Sequence, residues 1–295
     1  MLFSPIKTNM YRSLGNTLSA IATLCFATSF LQPRGASAQD GSPPVFLDLD
    51  GASRRPELAT TDRIRFLTTI DFPPFNFLDQ TAQLAGFNVD LARAICDELQ
   101  IVDKCEIQAL PWAELEPALS AGLGEAVIAG WPINARLRSA FAFSDVYLQL
   151  PARFVQRLEA EPLDLTPAGM TGRRIGVVAG SAHEAMLRAY FPDARAVIYQ
   201  RSSWMFDDLR AGKTDALFGD GMDLSFWLSG EASAGCCRFA GEPYLSATFL
   251  GEGMAVAVQR ERSDLAQAFT FALQSLVRDG RFAEIFARYF PRSFY

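Results

Sequence analysis

Two arginines, a glycine-led turn and a handful of acids are the residues of this 295-residue chain best placed to do chemistry. Arg136 and Arg138 sit two apart in the segment Ala129 to Tyr147, AGWPINARLRSAFAFSDVY. A guanidinium grips a carboxylate through two parallel hydrogen bonds. Gly180-Ser181 separates a strand pattern from a helix pattern, and free N–H groups at a helix N-terminus favour an anion. An ordinary turn with Ser181 as N-cap accounts for the same two residues. Asp71 opens a Pro-Pro turn, where its carboxylate either reads a cationic group or caps the turn. Nothing here makes a catalytic constellation. His183, the only histidine, has no partner Ser, Cys or acid in view and reads as a surface group one residue into a helix. Cys236-Cys237 lacks the nearby His or second Cys pair that a metal site needs.

The elements that must position these residues alternate between strand and helix from Arg63 onward. Ile64 to Ile70 is a strand pattern, followed by the Pro73-Pro74 turn. Asn88 suits the N-cap of a helix with Leu91, Ile95 and Leu99 on one face. Cys105 to Leu110 alternates as a strand, Trp112 to Ala121 is helical, and Ala126 to Ala129 is a short buried strand. The rhythm repeats after Pro151. Arg174 to Val178 and Ala196 to Tyr199 read as strands, Ala182 to Tyr190 and Met205 to Ala211 as helices, and Asp215 to Phe218 as a buried strand. Met254 to Val258 is one more strand. A helix from Asp264 to Arg278, with Ser263 as cap, carries Leu265, Phe269, Leu273 and Leu276 on one side.

Alternating strands and helices imply an α/β fold with mainly parallel sheets. Two such blocks, joined by extended segments at Tyr147 to Val155 and Phe249 to Val258, imply two lobes with a cleft between them. Residues 63–150 begin lobe one, 151–248 form lobe two, and 249–295 return to lobe one. Ligands in open α/β sheets lie beyond the carboxyl ends of the strands, which puts the turns after Ile70, Ala129, Ala179 and Phe218 at the cleft.

Residues 1–38 read as a cleaved export signal: Lys7 and Arg12, then a mostly apolar run from Leu14 to Leu31, then Ala36-Ser37-Ala38. Polar residues such as Asn16, Thr17 and Ser19 dilute the run and disfavour a membrane anchor. Residues 39–62 form a flexible leader. Loss of the signal removes three basic residues and no acid, moving the net charge from −6 to −9, which argues against nucleic acid as a partner. Four cysteines remain for an oxidising compartment. The spacing of Cys96 and Cys105 suits a local disulfide. Cys236 and Cys237 form either a vicinal disulfide or a bond elsewhere.

The chain resembles the family 3 extracellular solute-binding proteins, the polar amino-acid receptors of bacterial ABC transporters. Four blocks carry the resemblance: Asp71-Phe-Pro-Pro-Phe-Asn-Phe with Gly86-Phe-Asn-Val-Asp-Leu-Ala; Trp112 to Leu119 with Ile133 to Tyr147; Ile175-Gly-Val-Val-Ala-Gly-Ser with Leu209-Arg-Ala-Gly-Lys-Thr-Asp-Ala and Asp220; and Leu276-Val-Arg-Asp-Gly-Arg-Phe-Ala-Glu-Ile with Tyr289-Phe290. The resemblance implies a type II periplasmic-binding-protein fold and supports the Cys96–Cys105 pairing. It implies that Phe72, with Phe75 behind it, covers a bound amino acid, that Gly180 and Ser181 touch it, and that Asp220 pairs with its ammonium group. Trp112 matches a family position in the core of lobe one. The pattern Ile-Thr, two residues, Arg places Asn134 at the threonine and Leu137, not an arginine, at the arginine. Either Arg138 or Arg136 turns inward, with Arg138 favoured, or the carboxylate clamp is absent.

The expected protein is therefore a periplasmic, monomeric, non-enzymatic receptor. It needs no cofactor, takes a small amino acid-like solute at Asp71, Phe72, Asn134, Arg138, Gly180, Ser181 and Asp220, and delivers it to an inner-membrane ABC permease. Two rivals stand beside it: an enzyme on the same fold resembling cyclohexadienyl dehydratases, and an accessory binding protein of a periplasmic redox system.

Overall fold

The computed structural model describes residues 45–47, 49, 58 and 62–295. The segments that the sequence marks as an export signal and most of a leader lie outside these residues. Within the leader, Leu47 and Leu58 are buried in the core of lobe one. Hydrophobic alternation then builds the first sheet. In β1 (Ile64–Thr68), Ile64 and Phe66 face one core and Leu67 the opposite one. The chain continues through β2 (Asp71–Phe72), β3 (Asn76–Leu78) and β4 (Leu84–Ala85), which make a small antiparallel sheet. Next come α1 (Phe87–Glu98), β5 (Cys105–Ala109), α2 (Trp112–Ser120), β6 (Ala126–Val127), α3 (Ala135–Ala140) and β7 (Phe141–Phe143).

Lobe two contains β8 (Ala152–Arg157), β9 (Arg174–Val178), α4 (Ala182–Tyr190), β10 (Arg195–Tyr199), α5 (Ser202–Arg210), β11 (Ala216–Asp220), α6 (Gly221–Ser229) and β12 (Cys237–Tyr244). The return passes α7 (Ala247–Leu250) and β13 (Ala257–Gln259), and ends with α8 (Ser263–Arg278) and α9 (Arg281–Tyr289). The two five-stranded sheets are ordered β5-β1-β6-β13-β7 and β10-β9-β11-β8-β12. The first three strands of each run parallel, as βαβ units require. β8 and β13, which arrive from the other lobe, pair antiparallel with both of their neighbours.

Where the chain crosses, its two segments pair with each other. Tyr147 N–H donates to Met254 O (2.9 Å), and Met254 N–H donates to Leu148 O (2.7 Å). Each sheet is packed by apolar clusters on both faces, and Met222 of α6 joins the cluster of lobe one. In lobe one, α8 buries Leu265, Phe269, Leu273 and Leu276 completely, the stripe that the sequence spacing had marked. Phe87 is an aromatic hub, with Phe75, Tyr147, Phe282, Phe286 and Phe290 at centroid distances between 5.5 and 6.3 Å.

Three sequence expectations change here. Asn88 is not a cap: Gly86 holds the N-cap position at φ 128°, where an added Cβ would lie 2.2 Å from Phe75 O. Asn88 is instead fully buried inside α1 and hydrogen-bonded to other side chains. Ser263 is the first residue of α8 and caps nothing with its side chain. Trp112 is 47% exposed, because it starts α2 while Leu115, Ala118 and Leu119 take the buried face.

Both cysteine pairs are bonded, Cys96 to Cys105 and Cys236 to its neighbour Cys237. The first ties the end of α1 to β5 across a separation of nine residues. Closing a loop of that length removes unfolded-state entropy worth about 2–3 kcal/mol. Cys96→Ser with Cys105→Ser is expected to lower the urea midpoint by a corresponding amount, and an unchanged midpoint would show the bond to be dispensable. Among the described residues, no helix is long and apolar enough to cross a membrane.

Candidate functional site

The carboxyl ends of the parallel strands carry the residues of interest in both lobes. In lobe one, Phe72 leaves β2 stacked on Phe75, with centroids 4.7 Å apart and planes at 27°. Phe75 is wholly buried, whereas Phe72 is half-buried. Phe72 lies against Gly130, which follows β6 at φ 78°: a Cβ there would come within 2.8 Å of Phe72 Cε1. Glycine lets the ring settle over the strand ends. Asp71, beside it, is exposed and its carboxylate takes no hydrogen bond among the described residues.

A buried polar chain supports this turn from below. Tyr147 O–H donates to Asn88 Oδ1 (2.8 Å), Asn88 Nδ2 to Asn76 Oδ1 (2.8 Å), and Asn76 Nδ2 to Thr69 Oγ1 (2.7 Å). All four residues are at most 1% exposed. The chain links the end of β1, the Pro73–Pro74 turn, α1 and the crossing ribbon.

The segment that begins at Gly130 is folded by its own residues. Asn134 caps α3, accepting from Leu137 N–H (2.9 Å). Leu137, at the position where the family pattern has arginine, is buried among Trp131, Phe141 and their neighbours. The arginines beside it, both exposed, face glutamates. Arg136 holds Glu116 through two hydrogen bonds of 2.7 and 2.9 Å, and Arg138 pairs with Glu252 on the returning segment.

In lobe two, a cavity of about 360 Å³ opens where β9 and β11 end. Ser181, His183, Asp220 and Asp223 line it, with Phe206, Phe218 and Leu224 as apolar walls. Ser181 caps α4 by accepting from Glu184 N–H (3.1 Å) and donates to Val178 O (2.7 Å). Gly180, at φ 66°, donates its N–H to Glu184 Oε2 (2.8 Å). Asp220 caps α6: its Oδ1 accepts from the N–H groups of Met222 (2.8 Å) and Asp223 (3.0 Å). Burial pushes the Asp220 carboxyl above the usual range, against the pull of those N–H groups. Asp223 is pushed the same way by burial and by the Asp220 charge.

His183 and Asp223 are the residues that sequence reasoning missed. The imidazole is not a surface group: its Nε2 is buried without a hydrogen-bond partner, and the ring meets Phe218 edge-on at 6.3 Å. Burial lowers its pKa, opposed by Asp223. A visible signal did exist, the Asp-x-x-Asp spacing after a buried strand, which puts both carboxylates at one helix start.

These groups set opposing pH dependences. A histidine with a depressed folded pKa stabilises the fold fully above its unfolded value near 6.5, and that contribution is lost as pH falls. The two aspartates, with raised values, favour the fold at low pH and lose that contribution as pH rises through their folded values. Because His183 is the only histidine, His183→Gln is expected to flatten the fall in Tm between about pH 7 and pH 5. A profile that matches the unaltered protein would show that the imidazole is not held neutral.

Two α/β lobes, a paired crossing ribbon and polar groups gathered at the strand ends define a type II binding protein. The chain belongs to the bacterial extracellular solute-binding proteins, family 3, whose pattern matches residues 64–292. The L-arginine-binding protein of Pseudomonas aeruginosa is 30% identical over 243 residues, covering 81% of this chain and 92% of the relative. The lysine/arginine/ornithine-binding periplasmic protein of Escherichia coli is 26% identical over 239 residues, covering 80% and 91%. Among solved structures, the L-cystine solute receptor of Neisseria gonorrhoeae shares the fold with a TM-score of 0.68 at 17% identity, covering 80% of this chain and 95% of that one.

Proposed function

We propose that this protein captures a small polar solute, an amino acid or a close relative, between its lobes outside the cytoplasmic membrane and passes it to an ABC permease. The observation that carries this reading is the acid-lined cavity at the ends of β9 and β11, in a family member whose named relatives bind basic amino acids. Phe72 covers the solute from lobe one, while Asp220 receives its cationic group in lobe two. Gly180 and Ser181 border the solute on the α4 side, and Asp71, Asn134 and Arg138 stand on the lobe-one rim. Closure bends the ribbon at Tyr147, Leu148 and Met254 rather than either core, a hinge motion between two packed bodies.

A binding protein is stabilised by its ligand through mass action. A thermal-shift panel of amino acids, small carboxylates and polyamines at millimolar concentration is expected to raise Tm with at least one of them. No response to any member would overturn the reading. Mass spectrometry of small molecules released from the purified protein identifies the solute independently.

A further inference from the structure

We infer that the group this site recognises is an organic cation, and that a carboxylate on the ligand adds little. This narrows the proposed function to amines and guanidines and rests on that reading. Three groups near the strand ends that could hold an anion already hold carboxylates of the chain itself. The Gly180 N–H at the start of α4 is taken by Glu184, Arg136 by Glu116 and Arg138 by Glu252. Between the two arginines, Leu137 is 3% exposed and offers nothing polar.

The acids show the reverse. Asp220 Oδ1 accepts two backbone N–H groups, but Oδ2 accepts none among the described residues. The Asp223 carboxylate, three residues on, accepts none either, and no Lys or Arg lines the cavity they share. Two neighbouring carboxylates without a counter-ion repel each other, and the more buried one is costly to keep charged. A cation placed between them removes both costs. A second sign of a ligand comes from a different element: His183 on α4 lines the same space, and its Nε2 is buried without a hydrogen-bond partner. Burial favours the neutral ring, which can accept an N–H from an ammonium or guanidinium. At about 360 Å³, with Phe206 and Phe218 as walls, the cavity matches a short alkyl chain carrying such a head group.

Matched pairs test this by isothermal titration: arginine against agmatine, ornithine against putrescine, and lysine against cadaverine. The decarboxylated member of at least one pair is expected to bind as tightly as its parent or more tightly. Asp223→Asn should weaken that binding at least about tenfold. Glu184→Ala frees the Gly180 N–H for an anion and should improve the amino acid while leaving its decarboxylated partner unchanged. A parent amino acid that binds tenfold or more tightly than its decarboxylated partner in every pair would overturn the inference while leaving the receptor reading intact. Binding confined to neutral or acidic solutes would do the same. Failure of every solute to bind would overturn the receptor reading, and this inference with it.

Discussion

Asn88→Ala is expected to lower the thermal midpoint by about 10 °C, from a loss of roughly 3–5 kcal/mol in a protein of this size. The side chain is the middle link of the chain Tyr147–Asn88–Asn76–Thr69, and every member is buried. Removing it strands the Tyr147 hydroxyl and the Asn76 carbonyl, each costing about 1–3 kcal/mol when buried without a partner, and leaves a small void besides. Tyr147→Phe strands the Asn88 Oδ1 acceptor and should cost about 1–3 kcal/mol. The double variant should cost less than the two changes added together, because both break one hydrogen bond. Urea and thermal denaturation read all three. A shift of less than 2 °C for Asn88→Ala would mean that water enters and replaces the lost partner.

Asp220→Asn separates the two jobs of one carboxylate. Asparagine caps a helix about as well as aspartate, so the start of α6 should hold. The buried charge goes, and Tm at pH 7 should stay level or rise slightly. Affinity for a cationic solute that raises Tm in the panel should fall by at least about 30-fold, the cost of breaking a desolvated charge pair. Calorimetry showing unchanged affinity would move the cation to another group, and a collapse of Tm would mean that the charge itself is needed for the cap.

Local pattern revealed a good part of this fold. The βαβ stretch with β9 and α4 matches its sequence-read bounds, since buried alternation, a Gly-Ser turn and an amphipathic helix all agree there. β12 was invisible because Gly241 at φ 64° and Pro243 break its alternation, and its register shifts between Ala240 and Tyr244. α6 was equally hidden: Met222, Leu224, Trp227 and Leu228 are buried around most of its circumference, which leaves no polar stripe to mark a helical period. Asp220 follows a buried strand and matches the family's acid, and the fold puts it in the cavity wall. The partners of Arg136 and Arg138 could not be read from the sequence, since Glu116 and Glu252 lie on other elements and only the tertiary fold brings them near. His183 looked peripheral for the same reason, because the walls that bury it come from β11 and α5.

The position of β13 between β6 and β7 makes the sheet of lobe one depend on the late chain. Lobe one's sheet has a gap at that place until Ala257–Gln259 exists, and those residues follow the whole of lobe two along the chain. Lobe two needs nothing from the later chain to complete its five strands. The inserted lobe can therefore finish first, while the edges of β6 and β7 wait unpaired. Lobe one is sealed last, when the returning strand slots in and brings α8 and α9 down over Phe66 and Phe87. Contacts between residues this far apart in sequence slow folding, so completion of the first lobe should set the pace for the whole molecule.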